Sequence, residues 1–263
     1  MKENDFSAFK KWFHIYVSSF YTDDGFIQKN IILKEEHSIR VCDNATFIAK
    51  AEKLNDEDFY LARTIALFHD IGRFEQIKKY RTFRDSDSEN HAMLGVKILK
   101  AERVLSCLPD HEQKIILAAI GHHNMYILPD SLDSRTLLHS KIIRDADKID
   151  IYKVLIDYFS IKKDSPNPAL DLELPNTSEY SPALVQDIFN NRIASTKDVR
   201  TCNDMNLTRL AWIFDMNFVE TVRLIKERGY IEKIIATLPK NSEIMKLRIY
   251  LEGYMDLILD KGI

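Results

Sequence analysis

Apolar residues recur at helical spacing along most of this chain, and seven glycines and seven prolines in 263 residues give helices few places to stop. Leu207, Leu210, Ala211, Phe214, Phe218 and Ile225 keep one face through the late segment. His91 heads another face with Leu94, Gly95, Ile98 and Leu99. No convincing run of alternating strands appears, and no Asn-Gly or Asp-Gly hairpin turn lies between β-rich segments. The expected fold class is therefore all-α. The spacing predicts helices near 5–20, 37–53, 56–70, 90–105, 110–124, 134–161, 181–196, 204–236 and 241–260. Asn55 or Asp56 is expected to cap the third and Asn90 the fourth. Lys163–Pro182 holds four of the seven prolines among Asp, Asn and Ser, which predicts a long loop or hinge because proline forbids continued helix. It separates a histidine-rich part from a part with no histidine after His139.

Composition narrows the function classes. Thirty-seven basic against 40 acidic side chains give a net charge of −3, which offers no electrostatic case for duplex DNA. Three scattered cysteines, Cys42, Cys107 and Cys202, make neither a disulfide framework nor a Cys-rich zinc site. The start, MKENDFSAFKKWF, lacks the apolar core of a signal peptide, and stretches such as IILAAI at 115–120 fall far short of a membrane span. The expectation is a soluble, cytoplasmic protein without a membrane partner.

The residues that can carry chemistry are His37, the pair His69–Asp70, His91, the pair His122–His123, and Asp145, Asp147 and Asp150. His69 follows Ile65 by four and Ala62 by seven, so it extends an apolar face inward. Asp147 shares a stripe with Ile143, Asp150 and Val154. A buried carboxylate or imidazole left without a partner costs a few kcal/mol or more. Several such groups from different helices can satisfy one another by sharing a metal, and imidazole and carboxylate donors without thiolates suit Mn, Fe, Zn or Mg. His14, His111 and His139, taken singly, read as packed or surface residues.

His37, HDIGR at 69–73, NHAMLG at 90–95, GHHN at 121–124 and RDADKID at 144–150 follow one another in an order that resembles the HD-domain superfamily, an all-helical group of metal-dependent phosphohydrolases. The resemblance covers about residues 30–160. It implies an HD-domain helical bundle over 1–162, including an N-terminal helix, with the Pro-rich loop and additional C-terminal helices of 163–263 packing on it. It further implies that His37, His69, Asp70 and Asp147 are the four ligands of a minimal site, with Asp145 the alternate for Asp147. His91 and His122 or His123 resemble the extra histidines of members holding two or even three metals, where Asp70 would bridge. Asp145 lies two residues from Asp147, roughly 200° around a helix, so the two are not expected to reach one metal. Asp145 is expected instead to orient a histidine from outside the metal shell. Gly72, Gly95 and Gly121 sit close to these histidines in sequence and would let helices approach closely. The match departs from members that hydrolyse cyclic dinucleotides, which commonly carry lysine where Arg73 stands and a GYP signature absent here. Minimal single-metal nucleotidases often carry glutamate at that position.

The reaction these features imply is hydrolysis of a phosphate ester of a small molecule, such as a nucleotide, with one or two divalent ions (Mn, Fe, Mg or Zn) as cofactor. Asp70 would orient the attacking water, and Arg73 or Lys148 would stabilise phosphate charge. Arg73 could hold phosphate with a bidentate fork or pair with Glu75 or Asp85. The charged run KKYRTFRDSDSEN at 78–90 reads as a solvated loop or as a rim over the site. Two other function classes use the same residues. One is an HD-type di-iron oxygenase; the other is a non-catalytic module that binds a phosphorylated signal. Trp212, Phe214, Met216 and Phe218 read as core or as a dimer surface, and the C-terminal helices could make a homodimer.

Overall fold

Short polar side chains decide where helices begin. Asp24 Oδ1 accepts the backbone amides of Phe26 and Ile27, and Asn55 and Asn90 accept those of Asp58 and Met93. The computed structural model describes residues 1–161, 167–171 and 174–261, and these are joined into helices with no strand among the described residues. The order is α1 (Glu3–Ser18), α2 (Gly25–Ala51), α3 (Asp56–Phe68), α4 (Gly72–Tyr80), α5 (His91–Ala101), α6 (Asp110–His122), α7 (Ser134–Ile161), α8 (Pro168–Asp171), α9 (Pro182–Phe189), α10 (Cys202–Leu210), α11 (Val219–Glu227), α12 (Tyr230–Ile235) and α13 (Ser242–Lys261). The all-α expectation holds, and no described helix is long and apolar enough to cross a membrane.

The chain forms two compact units, Met1–Asp150 and Ile151–Ile263, with the division inside α7. In the first unit α3 is the central helix. Leu61, Ala62, Ile65, Leu67 and Phe68 are buried, and Phe9 and Trp12 of α1 meet Phe68 edge-on at 5.7 Å. Phe13 packs edge-on against Phe74 of α4 at 6.0 Å, and both are fully buried. Burying a phenylalanine this way contributes about 1.5–3 kcal/mol, so α1 clamps the turn between α3 and α4.

Four expectations differ from the structure, the first being the helix expected over 181–196, which ends at Phe189 just before Asn191 turns left-handed at φ 54°. α2 begins at Gly25 rather than 37, because the Asp24 cap extends it well upstream. α4 was not expected: it is short and mostly polar, and buried Phe74 and Ile77 hold it until Arg81 turns left-handed at φ 56°. The single helix expected over 204–236 is broken by a 3-10 turn at Ala211–Asp215, extended backbone at Phe218 and left-handed Gly229. Leu207, Leu210, Ala211, Phe218 and Ile225 are nevertheless buried, so apolar spacing persisted across the breaks. Phe214 is half-buried and meets Tyr254 edge-on at 4.8 Å. Part of the expected Lys163–Pro182 loop, at 163–166 and 172–173, lies outside the described residues.

α4 and α5 touch backbone to backbone. A Cβ on Gly72 would press on the His91 carbonyl oxygen and come within 2.7 Å of Gly95 N, whereas one on Gly121 would meet Val96 at an ordinary 3.5 Å. Gly72→Ala should therefore destabilise by about 1–3 kcal/mol through overpacking. Gly121→Ala should be neutral or stabilise by up to about 1 kcal/mol through helix propensity. Urea midpoints of the two variants check this, and equal shifts would contradict it.

A second ion cluster ties α7 to the start of α3. Asp58 Oδ1 accepts from Arg135 Nε at 2.6 Å and lies 3.0 Å from Nε2 of His139, which is fully buried. His139, then Arg135, hold the Asp58 carboxyl far below its ordinary 3.8 against the opposing effect of burial. A carboxylate depressed on folding adds stability above its unfolded pKa; that stability starts to fade as pH falls below about 4 and is gone only below the depressed folded value. Asp58→Asn should cost about 1–2 kcal/mol at pH 7 and flatten the acid limb of the stability curve between about pH 5 and 3. An unchanged acid limb in urea titrations would contradict this.

Candidate metal centre

The His69–Asp70 pair lies at the junction of α3 and α4. α3 ends at Phe68, Ile71 N donates to the Phe68 carbonyl at 3.0 Å, and Arg73 N donates to the Asp70 carbonyl at 2.9 Å. His69 sits at the helix end, where carbonyls lack amide partners, and its Nδ1 donates to Ala66 O at 2.8 Å. His123 repeats the arrangement at the end of α6, with Nδ1 donating to Ile120 O at 2.7 Å. Buried Arg144 of α7 secures that end by donating to the carbonyls of His123, Met125 and Tyr126.

The other two histidines are held by carboxylates. His37 Nδ1 meets Asp150 Oδ2 at 2.7 Å, and Arg40 grips both Asp150 oxygens at 2.7 and 3.1 Å. His91 Nδ1 meets Asp85 Oδ2 at 2.7 Å. All four outer nitrogens thus donate to oxygen, which leaves the inner Nε2 atoms as lone pairs when the rings are neutral. These face each other in two pairs, His37–His69 at 3.2 Å and His91–His123 at 3.1 Å. Lone pairs that close repel unless a proton or cation lies among them.

Asp70 divides its carboxylate between the pairs. Oδ2 is 3.5 and 3.6 Å from Nε2 of His37 and His69; Oδ1 is 3.4 and 3.8 Å from Nε2 of His91 and His123. Asp147 Oδ1 approaches His37 and His69 at 3.1 and 3.6 Å, yet among the described residues no well-directed hydrogen bond satisfies this buried atom. Among the described residues, three groups have ligand atoms within 4.8 Å of one another: His37, His69 and Asp70; His69, His123 and Asp147; Asp70, His91 and His123. Facing lone pairs, a shared carboxylate and an orphaned carboxylate oxygen fit divalent cations with nitrogen and oxygen ligands.

Electrostatics agree with that fit. Burial alone would raise the Asp70 carboxyl, but Lys34, His69, Arg73 and His91 hold it well below the usual carboxylate range. Asp147 is likewise held down by His37 and His69 against the effect of burial. Burial, reinforced by the neighbouring His91 and His69, lowers His123 to about 3, and burial then Arg73 lower His91. Burial also pushes His69 downward, but Asp70 and Asp147 reverse it and raise the ring. His91 and His123 are thus neutral donors at neutral pH.

The structure brings His37, His69, Asp70, His91, His123 and Asp147 together. His122 and Asp145 contribute no ligand atom to the three groups among the described residues. His122 is the last residue of α6, with its Nδ1 buried and without a hydrogen-bond partner among the described residues. The tight turn after it carries His123 inward. Asp145 is fully buried on α7, but Asp150 and Asp85 are the carboxylates found on the outer nitrogens of ligand histidines. Arg73 pairs with Asp85 at 3.2 Å, and its Nη1 also donates to Gln76 Oε1 and Phe83 O, both at 2.7 Å. Its Nε lies 3.5 Å from Asp70 Oδ1. Lys148 is half-buried one residue past Asp147.

Three contributors carry no separate signal in the sequence pattern. Lys34 reaches Asp70 Oδ2 at 2.6 Å; it precedes His37 by three on α2, outside a helix expected to start at 37. Asp85 stands among similar acidic residues, and only the fold brings it to His91. The third is Arg144. The 82–90 segment is fastened rather than loose: fully buried Gln76 donates to Asp85, Ser88 Oγ and the Glu89 carbonyl at 2.8–2.9 Å.

Comparison with known families and proteins agrees with this geometry. A family model described as HD domain matches residues 35–152. No curated protein and no solved structure matched the chain.

His123→Ala should strip metal from the His91–His123 half, whereas His122→Ala should keep the wild-type content. Asp85→Asn, which releases His91, should weaken that half by about 10–100-fold. Metal content by mass spectrometry after dialysis checks all three, and equal loss in the two histidine variants would contradict the assignment.

Proposed function

We propose that this chain, whose residues 35–152 are an HD domain, is a divalent-metal-dependent phosphohydrolase acting on the phosphate ester of a small molecule. The observation that carries this reading is the division of Asp70, with one oxygen toward each pair of facing imidazoles. His37, His69, Asp70 and Asp147 would hold one cation, and His91, His123 and Asp70 a second. Bound there, the ions would supply Lewis acidity toward the phosphoryl oxygens and toward an attacking water.

The chain's own groups do the rest. Asp70 fixes the spacing between the two halves. Asp150 and Asp85 fix the tautomer and ring angle of His37 and His91, as the Ala66 and Ile120 carbonyls do for His69 and His123. Arg73, locked by Gln76, Phe83 and Asp85, keeps a fixed positive charge beside Asp70 and opposite charge developing on phosphate. Hydrolysis needs no redox change, so the reading predicts activity with redox-silent ions.

The test is turnover of a chromogenic phosphate ester and a panel of nucleotides in an anaerobic chamber, with Mn, Mg, Zn and Fe compared. Mn-loaded protein should release phosphate or a nucleoside monophosphate. Asp70→Ala should lose metal and most of the rate together while remaining folded. No ester turnover with any metal, alongside substrate-dependent oxygen uptake by the iron form, would replace this reading with an oxygenase. Binding of phosphorylated compounds without turnover would replace it with a non-catalytic module.

A further inference from the structure

We propose that Lys34 is a substrate-binding residue whose ammonium grips a non-bridging phosphoryl oxygen opposite Arg73; this rests on the phosphohydrolase reading above. The Lys34 side chain is only 15% exposed, and its ammonium lies 2.6 Å from Asp70 Oδ2. Among the described residues Asp70 is the one acceptor it reaches, so two of its three N–H groups remain for a ligand. The same oxygen faces His37 and His69, so a divalent cation held there would share it with the ammonium.

That placement is costly for a residue that only builds a metal site. Two positive charges across one oxygen repel, and burial strengthens the repulsion because little water screens it. An anion touching both the metal and the ammonium turns that repulsion into attraction, and a phosphoryl group has the charge and the oxygens to do so.

The second cation is placed to match. Lys34 stands at Oδ2 of Asp70 and Arg73 at Oδ1, and both lie over the Phe83 ring, at 5.3 and 5.5 Å from its centroid. Phe83 therefore places two positive charges on the two sides of one carboxylate. Arg73 is pinned through Nη1, and its buried Nε has no hydrogen-bond partner among the described residues. Lys34, on a flexible unbranched stem, can leave Oδ2 and follow the substrate.

The alternative role, a tether that neutralises Asp70, gives the opposite sign in one measurement. Removing a tether weakens metal binding. Removing a cation that repels the metal and attracts phosphate tightens metal binding and weakens phosphate. Lys34→Met keeps an unbranched side chain of similar length without the charge, and Lys34→Arg keeps the charge; Lys34→Gln replaces the methionine variant if that one misfolds. The experiment measures Mn affinity of the full chain, then inorganic phosphate affinity of the Mn-loaded protein, each by calorimetry.

The result expected of Lys34→Met is Mn binding unchanged or about threefold tighter, with the phosphate Kd raised at least about tenfold. Lys34→Arg should restore phosphate binding to within about threefold of wild type. Unchanged phosphate affinity in Lys34→Met, or loss of Mn in parallel with phosphate, would overturn the proposal while wild-type ester turnover leaves the hydrolase reading standing. Wild-type protein that binds Mn but neither binds phosphate nor cleaves any ester would overturn both.

Discussion

Four imidazoles turn their Nε2 lone pairs inward on a single carboxylate, and the surrounding helices are arranged to keep them there. Each ring is fixed from outside by an oxygen acceptor: Asp150 for His37, the Ala66 carbonyl for His69, Asp85 for His91 and the Ile120 carbonyl for His123. Without those acceptors the rings could rotate or take the other tautomer, and the convergence on Asp70 would be lost. The convergence is unfavourable in itself, because buried nitrogens at 3.1–3.2 Å oppose one another. Packing must hold it until a cation makes it favourable. The apolar clamp of Phe9, Trp12 and Phe13 around the α3–α4 turn, and the backbone contact that Gly72 permits with α5, supply that rigidity.

The two halves share a plan but are carried by different parts of the chain. In one, His37 on α2 is anchored from α7, and Asn44 reinforces that contact by donating to the Ala146 carbonyl at 3.0 Å. In the other, His91 opens α5 and is anchored by Asp85, from the segment that Gln76 and Arg73 bind down. Asn124, next to His123, also donates to Asp85 at 3.2 Å, so both histidines of that half depend on one carboxylate's position. Helices thus set the first half directly, and a fastened loop completes the second.

Much of this was legible in the sequence, for physical reasons particular to each residue. The order of His37, His69–Asp70, His91 and Asp147 was legible through its resemblance to the HD-domain order, and for His69, His91 and Asp147 apolar neighbours on the same helix also pointed to an inward face. Asn55 and Asn90 were readable as caps because a short side-chain acceptor before an apolar run has few other uses. The choice between His122 and His123 was not readable, since it depends on a tightened last turn of α6 that regular spacing does not reveal. Lys34 was hidden by the upstream extension of α2. Asp85 was hidden among like-charged neighbours, because which of several loop carboxylates reaches a histidine is decided by tertiary contacts. The breaks in 204–236 are not legible because the buried Leu207, Leu210, Ala211, Phe218 and Ile225 keep helical spacing in sequence across them.

The central claim is that Asp70 joins two cation positions rather than serving one. Anomalous diffraction at the manganese edge, from crystals of the full chain grown with Mn, tests it most directly. The account expects two anomalous peaks, one within coordinating reach of His37, His69 and Asp147 and the other of His91 and His123, with an Asp70 oxygen on each. A single fully occupied peak, with His91 and His123 contributing to no metal at saturating Mn, would contradict it.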